Sequence, residues 1–250
     1  MFIPIADDNS DRTIQPYVNY IFIALNILVW LVFQGMSGES TFTYAYSTVP
    51  AEIINGHDIV TEAQTFTDPN TGIQFLIPGL GVTPVPVYFT LLTSMFMHGS
   101  WMHLVGNMLY LWIFGDNIEN RLGRTRYIIF YLLCGLIASL SHVFSTVMST
   151  QSSIVPSLGA SGAISGVLGA YLMLFPKRKV KMFVIRAVID VPSWAALGFW
   201  IVLQVVMGLG LLGGDSGGGG VAYAAHIGGF LAGLILIKFF DPLKRNSLEK

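Results

Sequence analysis

Five stretches of this 250-residue chain contain no Asp, Glu, Lys or Arg: residues 13–38, 69–115, 127–176, 191–214 and 216–237. No other feature constrains the fold as strongly. A helix needs about 20 mostly apolar residues to cross the hydrocarbon core of a bilayer, and each stretch is long enough. The third is too long for one crossing and is interrupted by "STQSSIVPS", so it holds two. The second opens with "PNTGIQFLIPGLGVTPVP", too rich in Pro and Gly for helix, and becomes continuous near Val87. The pattern predicts six spans, at roughly 17–35, 88–115, 126–147, 158–175, 193–212 and 221–239. Charged residues make up 11% of the chain, against about a quarter in soluble domains, and mean hydropathy is +0.65. The expectation is an all-α integral membrane protein: a short N-terminal segment (1–16), a membrane domain (17–240) and a tail (241–250).

Orientation follows from the basic residues. With alternating crossings, all 13 Lys and Arg fall on one side, in the N-terminal segment, "DNIENRLGRTR", "KRKVKMFVIR" and "KFFDPLKRNSLEK". Loops 36–87, 148–157 and 213–220 on the other side carry none. Both termini are therefore expected to be cytoplasmic. The start "MFIPIADDNSDR" lacks a basic n-region and a cleavage site, so the first span is read as an uncleaved targeting signal. A bacterial cytoplasmic membrane is the expected location. Loop 36–87 mixes aromatic and apolar stretches with turn signals, which suggests short interfacial amphipathic helices. The lone Cys134 excludes an intrachain disulfide, and nothing in the chain points to nucleic acid.

Four of the five histidines, His98, His103, His142 and His226, fall inside predicted spans. Ionisable groups in the membrane are costly and point to function. The spans hold no carboxylates, which argues against a proton-coupled transporter and against a carboxylate-based metal site. Counted from the inner span ends at about 1.5 Å per residue, Ser161 sits ~21 Å up, and His103 and His226 each ~18 Å. Asn107 lies one turn below His103, on a similar face. Small residues recur at Gly159, Gly162, Gly166 and Gly169 around Ser161, and at Ala222, Ala225, Gly229 and Gly233 around His226. Such faces let helices approach closely. Close packing of spans four and six would bring the Ser161 hydroxyl to the His226 imidazole, the base that a serine nucleophile needs. On chemistry alone His103, at the same depth, remains a second possible base. His142 has no evident partner and is read as structural, and His57 as solvated. Asp215 is too far along the chain from His226 to be expected in a triad. The stretch is not the soluble-hydrolase G-x-S-x-G elbow, since position 163 is alanine.

Three ordered pieces, "HGSWMHLVGN", "GASGAISG" and "AAHIGGFLAG", with "GDNIENRLG" between the first two, resemble the rhomboid family of intramembrane serine proteases, in its six-span bacterial type. The resemblance covers residues 88–240 or so. It implies Ser161 as nucleophile and His226 as general base, a dyad without an acid. His103 and Asn107 match the pair that lines the oxyanion site with the Ser161 backbone N–H. His98 matches a histidine linked to ordering of the outer loop, and Gly115, Glu119 and Gly123 a structural loop signature. The resemblance also implies cleavage of transmembrane segments admitted laterally from the bilayer, no metal or cofactor, and a movable gate formed by span five with loop 213–220. Two features depart from it. Some members carry an aromatic four residues after the nucleophile, where Ser165 stands here, and the first loop has no Trp-Arg pair. The competing class is a non-catalytic binder of membrane proteins on the same fold. A transporter would want buried carboxylates or inverted repeats.

Overall fold

The computed structural model describes residues 2–67, 72, 74–148, 153–210 and 222–242. Among the described residues two helices are long and apolar enough to cross a bilayer: α7 (Arg124–Met148) and α10 (Tyr223–Phe240). Four shorter apolar helices accompany them: α1 (Tyr17–Phe33), α4 (Val87–Phe96), α8 (Ser161–Leu174) and α9 (Ser193–Gly208).

The expected single span at 88–115 is two helices. The chain leaves α4 at Met97 in an extended conformation and restarts as α5 (Trp101–Tyr110), with the Ser100 hydroxyl accepting the His103 N–H at 3.2 Å. A serine cap satisfies one of the free N–H groups of a helix start, so the restart is encoded locally. His98 falls in the break. Beyond Tyr110 a π-helical turn, Leu111–Gly115, leads into α6 (Asp116–Leu122).

The protein is mostly helical but not all-α. Strand β1 (Phe2–Asp7) pairs antiparallel with β4 (Lys179–Val184), and β4 with β5 (Ala187–Pro192), giving the order β1-β4-β5. A separate hairpin, β2 (Gln64–Thr67) with β3 (Gln74–Ile77), lies in the long first loop. The stretch "KVKMFV" alternates as a half-buried strand does, with Val180 and Met182 buried and Lys179 and Lys181 exposed. Its turn passes through Ile185 at φ +58°. Pro4 has no N–H for the ladder, and the β1 register shifts between Pro4 and Ala6.

Helices α7, α8 and α10 form the centre, and glycines set their spacing. A Cβ on Gly229 would meet the Gly162 carbonyl, one on Gly233 the Gly166 carbonyl, and one on Gly169 the Phe230 carbonyl. Backbone thus lies directly against backbone between α8 and α10. Gly162 and Gly166 also make room for α7, at Ala138 and Cys134.

The "GDNIENRLG" segment holds the start of α1, which has no side-chain cap of its own. The buried Glu119 carboxylate accepts the N–H groups of Val18 and Asn19 at 3.1 and 2.7 Å. At Gly115 a Cβ would strike Asn19 and the Tyr127 hydroxyl, and those two groups are hydrogen-bonded to each other at 2.8 Å. Gly123, at φ +76°, turns the chain from α6 into α7.

The first loop also contains two short helices, α2 (Thr41–Tyr46) and α3 (Pro50–Asn55). Between them Thr48 exchanges both backbone hydrogen bonds with Ser157, at 3.0 and 2.8 Å, and the Ala51 N–H reaches the Ser153 carbonyl at 2.9 Å. The Gly159 N–H is held by the Ser94 carbonyl at 2.9 Å. This loop therefore fixes the segment that delivers Ser161.

Candidate functional site

Ser161 is the first residue of α8. Backbone N–H groups in a helix's first turn have no intrahelical acceptor and can receive a negative charge. Its hydroxyl lies 2.8 Å from Nε2 of His226 on α10, a contact that the glycine-mediated approach of the two helices allows. Ser165, one turn on, donates to the Ser161 carbonyl at 2.6 Å, so its hydroxyl is occupied within the helix.

Two residues on α9 complete the surroundings of His226, and the sequence reading missed both. The Gln204 Oε1 lies 2.7 Å from His226 Nδ1. The Trp200 ring, one helical turn earlier, sits 5.9 Å from the imidazole at an interplanar angle of 37°. An aromatic neighbour is therefore present, although Ser165 occupies the place four residues after Ser161. The available signal was Gln204 itself, an amide in an otherwise apolar span, which is costly without a partner.

Gly159 had been expected to serve helix packing. It lies instead in the turn before α8, at φ +128°, and a Cβ there would come 2.9 Å from Cε1 and Nε2 of His103. Its missing side chain is the space that His103 fills beside Ser161. Gly162, Gly166 and Gly229 do lie at helix contacts. The His103 Nδ1 accepts the Gly99 N–H at 3.4 Å, which leaves Nε2 to carry the proton toward the turn. Asn107 Nδ2 lies 3.0 Å from His98 Nε2. The His98 backbone is clamped at both ends by Gln34: its N–H donates to Oε1 at 2.9 Å and its carbonyl accepts from Nε2 at 2.8 Å. The same Gln34 Nε2 donates to Thr43 Oγ1 at 2.7 Å. A continuous chain of hydrogen bonds thus joins α2 to Asn107.

Ser161, His226, His103 and Asn107 share a cavity of about 850 Å³, otherwise walled largely by apolar side chains such as Met102, Leu158, Leu168 and Met207. It combines a hydroxyl–imidazole pair, hydrogen-bond donors beside it and room for an extended chain. A hydroxyl paired with an imidazole in this way can act as a nucleophile toward a carbonyl. His57 is exposed, with Nδ1 3.1 Å from the Asn55 carbonyl, and His142 lies on α7, its carbonyl accepting the Thr146 hydroxyl. Loop 213–220 and Asp215 lie outside the described residues.

The rhomboid domain profile matches residues 86–241. Rhomboid protein 1, mitochondrial, of Saccharomyces cerevisiae is 33% identical over 146 residues, 58% of this chain and 40% of that protein. Presenilin-associated rhomboid-like protein A, mitochondrial, of Danio rerio is 37% identical over 161 residues, 63% of this chain and 39% of that protein. Rhomboid protease GluP of Bacillus subtilis is 30% identical over 206 residues, 82% of this chain and 34% of that protein. The chain therefore spans two fifths or less of the length of these curated relatives. The profile covers the helices that carry Ser161, His226, His103 and Asn107, and the chain belongs to the rhomboid family of integral membrane proteins.

Proposed function

We propose that this protein is an intramembrane serine endopeptidase that cuts transmembrane segments of other membrane proteins, with Ser161 as nucleophile and His226 as general base. The observation that carries the reading is the 2.8 Å approach of Ser161 Oγ to His226 Nε2 inside an apolar cavity. As Oγ bonds to the scissile carbonyl carbon, Nε2 takes the hydroxyl proton. The Ser161 N–H, His103 and Asn107 receive the charge on the carbonyl oxygen. Collapse breaks the C–N bond, His226 returns the proton to the leaving amine, and the acyl chain stays on Ser161 as an ester. Water then attacks that ester with His226 again as base, releasing a carboxylic acid and restoring the serine. Asn107 faces His98 in the resting arrangement, so its service to the oxyanion requires a side-chain rotation or sharing of its amide.

The dyad needs no metal or cofactor. In this reading the chain crosses the bilayer six times with both termini on the basic side, and the chemistry takes place in the outer half, in a cavity open to the other side. The substrate is a helical segment that arrives from the lipid and unwinds into the cavity. The family includes proteases, as the name of GluP states, and relatives named for mitochondria stand beside it. Cleavage of a single-span test substrate in liposomes tests the proposal. Wild-type protein cuts it and is labelled at Ser161 by a fluorophosphonate, and Ser161→Ala does neither. Turnover that survives Ser161→Ala eliminates the dyad, and a folded wild type that is neither labelled nor active points to a non-cutting binder.

A further inference from the structure

We infer that Gln204 is a positioning residue for His226, holding the imidazole in the tautomer whose Nε2 accepts the Ser161 proton. The consequence for rate rests on the hydrolytic reading proposed above, while the contact stands apart from it. A neutral imidazole carries one N–H, and an amide oxygen only accepts hydrogen bonds. With Gln204 Oε1 2.7 Å from Nδ1, the proton sits on Nδ1. The Nε2 lone pair then faces the Ser161 hydroxyl at 2.8 Å. The other tautomer would aim an N–H at that hydroxyl and could not take its proton. In a base of this type, the partner of the second ring nitrogen decides which nitrogen is free to act.

Three further observations tie Gln204 to this role. Trp200, four residues earlier on the same helix, lies against the same imidazole, so one face of α9 sets both its proton and its plane. Gln204 shares the cavity with Ser161 and His226. Of the residues of α9 only Ser193 and Leu197, both in its first half, are buried, so the half bearing Gln204 is lightly packed. An amide among apolar side chains is costly unless bonded, and among the described residues its hydrogen bond is to His226. The base is therefore arranged only while α9 lies against α10.

Nitrogen-15 NMR of histidine-labelled protein in lipid nanodiscs reads the tautomer directly, beside kcat and KM for a single-span test substrate. In wild type the His226 Nδ1 is protonated. In Gln204→Leu the two tautomers mix, and kcat falls roughly 10- to 100-fold with KM changed less than threefold. That loss is smaller than the roughly 100- to 10,000-fold that a positioned base supplies. Gln204→Glu keeps an acceptor at Nδ1 and regains most of the rate, whereas a role confined to pinning α9 would predict no such rescue and a changed KM. If Gln204→Leu fails to fold, Gln204→Met offers similar volume with more freedom. Active wild type with Nε2 protonated, an unchanged kcat in the apolar variants, or a Glu variant as slow as they are overturns the assignment and leaves the dyad standing. Inactive wild type with Nδ1 protonated removes the dyad and leaves the contact in place.

Discussion

At Gly159 two independent constraints coincide: a backbone at φ +128°, which L side chains rarely adopt, and a His103 ring where a Cβ would stand. Gly159→Ala should therefore cost activity more than stability. Displacing His103 is expected to lower cleavage of a single-span substrate roughly tenfold or more, while the melting temperature in detergent falls by a few degrees, as about 1–3 kcal/mol of backbone strain implies. Asn107→Ala removes one proposed oxyanion donor, and the expected loss in kcat is roughly 100- to 1,000-fold with the fold retained. That Ser161, His226, His103 and Asn107 share one cavity was legible because polar side chains at similar depths in apolar spans have few other uses. Gly159 was assigned the wrong duty because a glycine in a turn and a glycine on a helix face look alike in a string of small residues. Gln204 was not legible because it stands alone on its span, whereas Asn107 has His103 one turn away to mark a shared face.

Among the elements, the contact of α8 with α10 depends on bare backbone. Gly229→Val would drive a branched side chain into the Gly162 carbonyl, and overpacking of this kind costs about 1–3 kcal/mol or more. The thermal transition in detergent should fall accordingly, and activity with it. Gly198 on α9 meets nothing within 4 Å at its Cβ position, so Gly198→Ala should leave the transition unchanged or raise it slightly, by the roughly 1 kcal/mol of helix propensity. The pair of variants separates packing glycines from merely tolerated ones. The break between α4 and α5 was written in the chain as Gly99-Ser100, a flexible residue followed by a helix cap. An uninterrupted run without charges concealed it, because hydropathy measures what a bilayer accepts and not where a helix stops. The extension of the helical run to Leu122 was hidden for the opposite reason: Asp116 and Glu119 look like loop residues until Glu119 is seen capping α1.

On the scale of the whole molecule, the sheet joins the N-terminal segment to the connection between α8 and α9. Where β1 ends, the Asp7 carboxylate accepts from Asn117 Nδ2 at 2.8 Å and from the Tyr171 hydroxyl at 2.6 Å. Arg178 contacts Asn117 and Asp11, and Arg12 contacts Asp116. Burial pushes the Asp7 carboxyl from its ordinary 3.8 up to about 7, although Tyr171 and the two arginines pull the other way. A carboxyl raised in the folded state lends stability that is fully present below about pH 4 and is lost as pH rises through about 7. Hydrogen exchange of the β1 amides, corrected for intrinsic rates, should therefore be faster at pH 8 than at pH 5, and Asp7→Asn should flatten the difference. Equal protection at both pH values in wild type would count against it. The sheet was not legible because β1 lies far in sequence from β4, and the short β4–β5 hairpin beside apolar spans reads as a linker.

The pairing of Phe2 with Val184 and Asp7 with Val180 has a consequence for how the protein is made. A ribosome adding about 5–20 residues per second leaves the first strand waiting roughly 10 to 35 seconds for its mate. Throughout that interval the segment has no sheet to join, and its backbone N–H and C=O groups are left to water. The sheet can close only after the β4–β5 hairpin has been made.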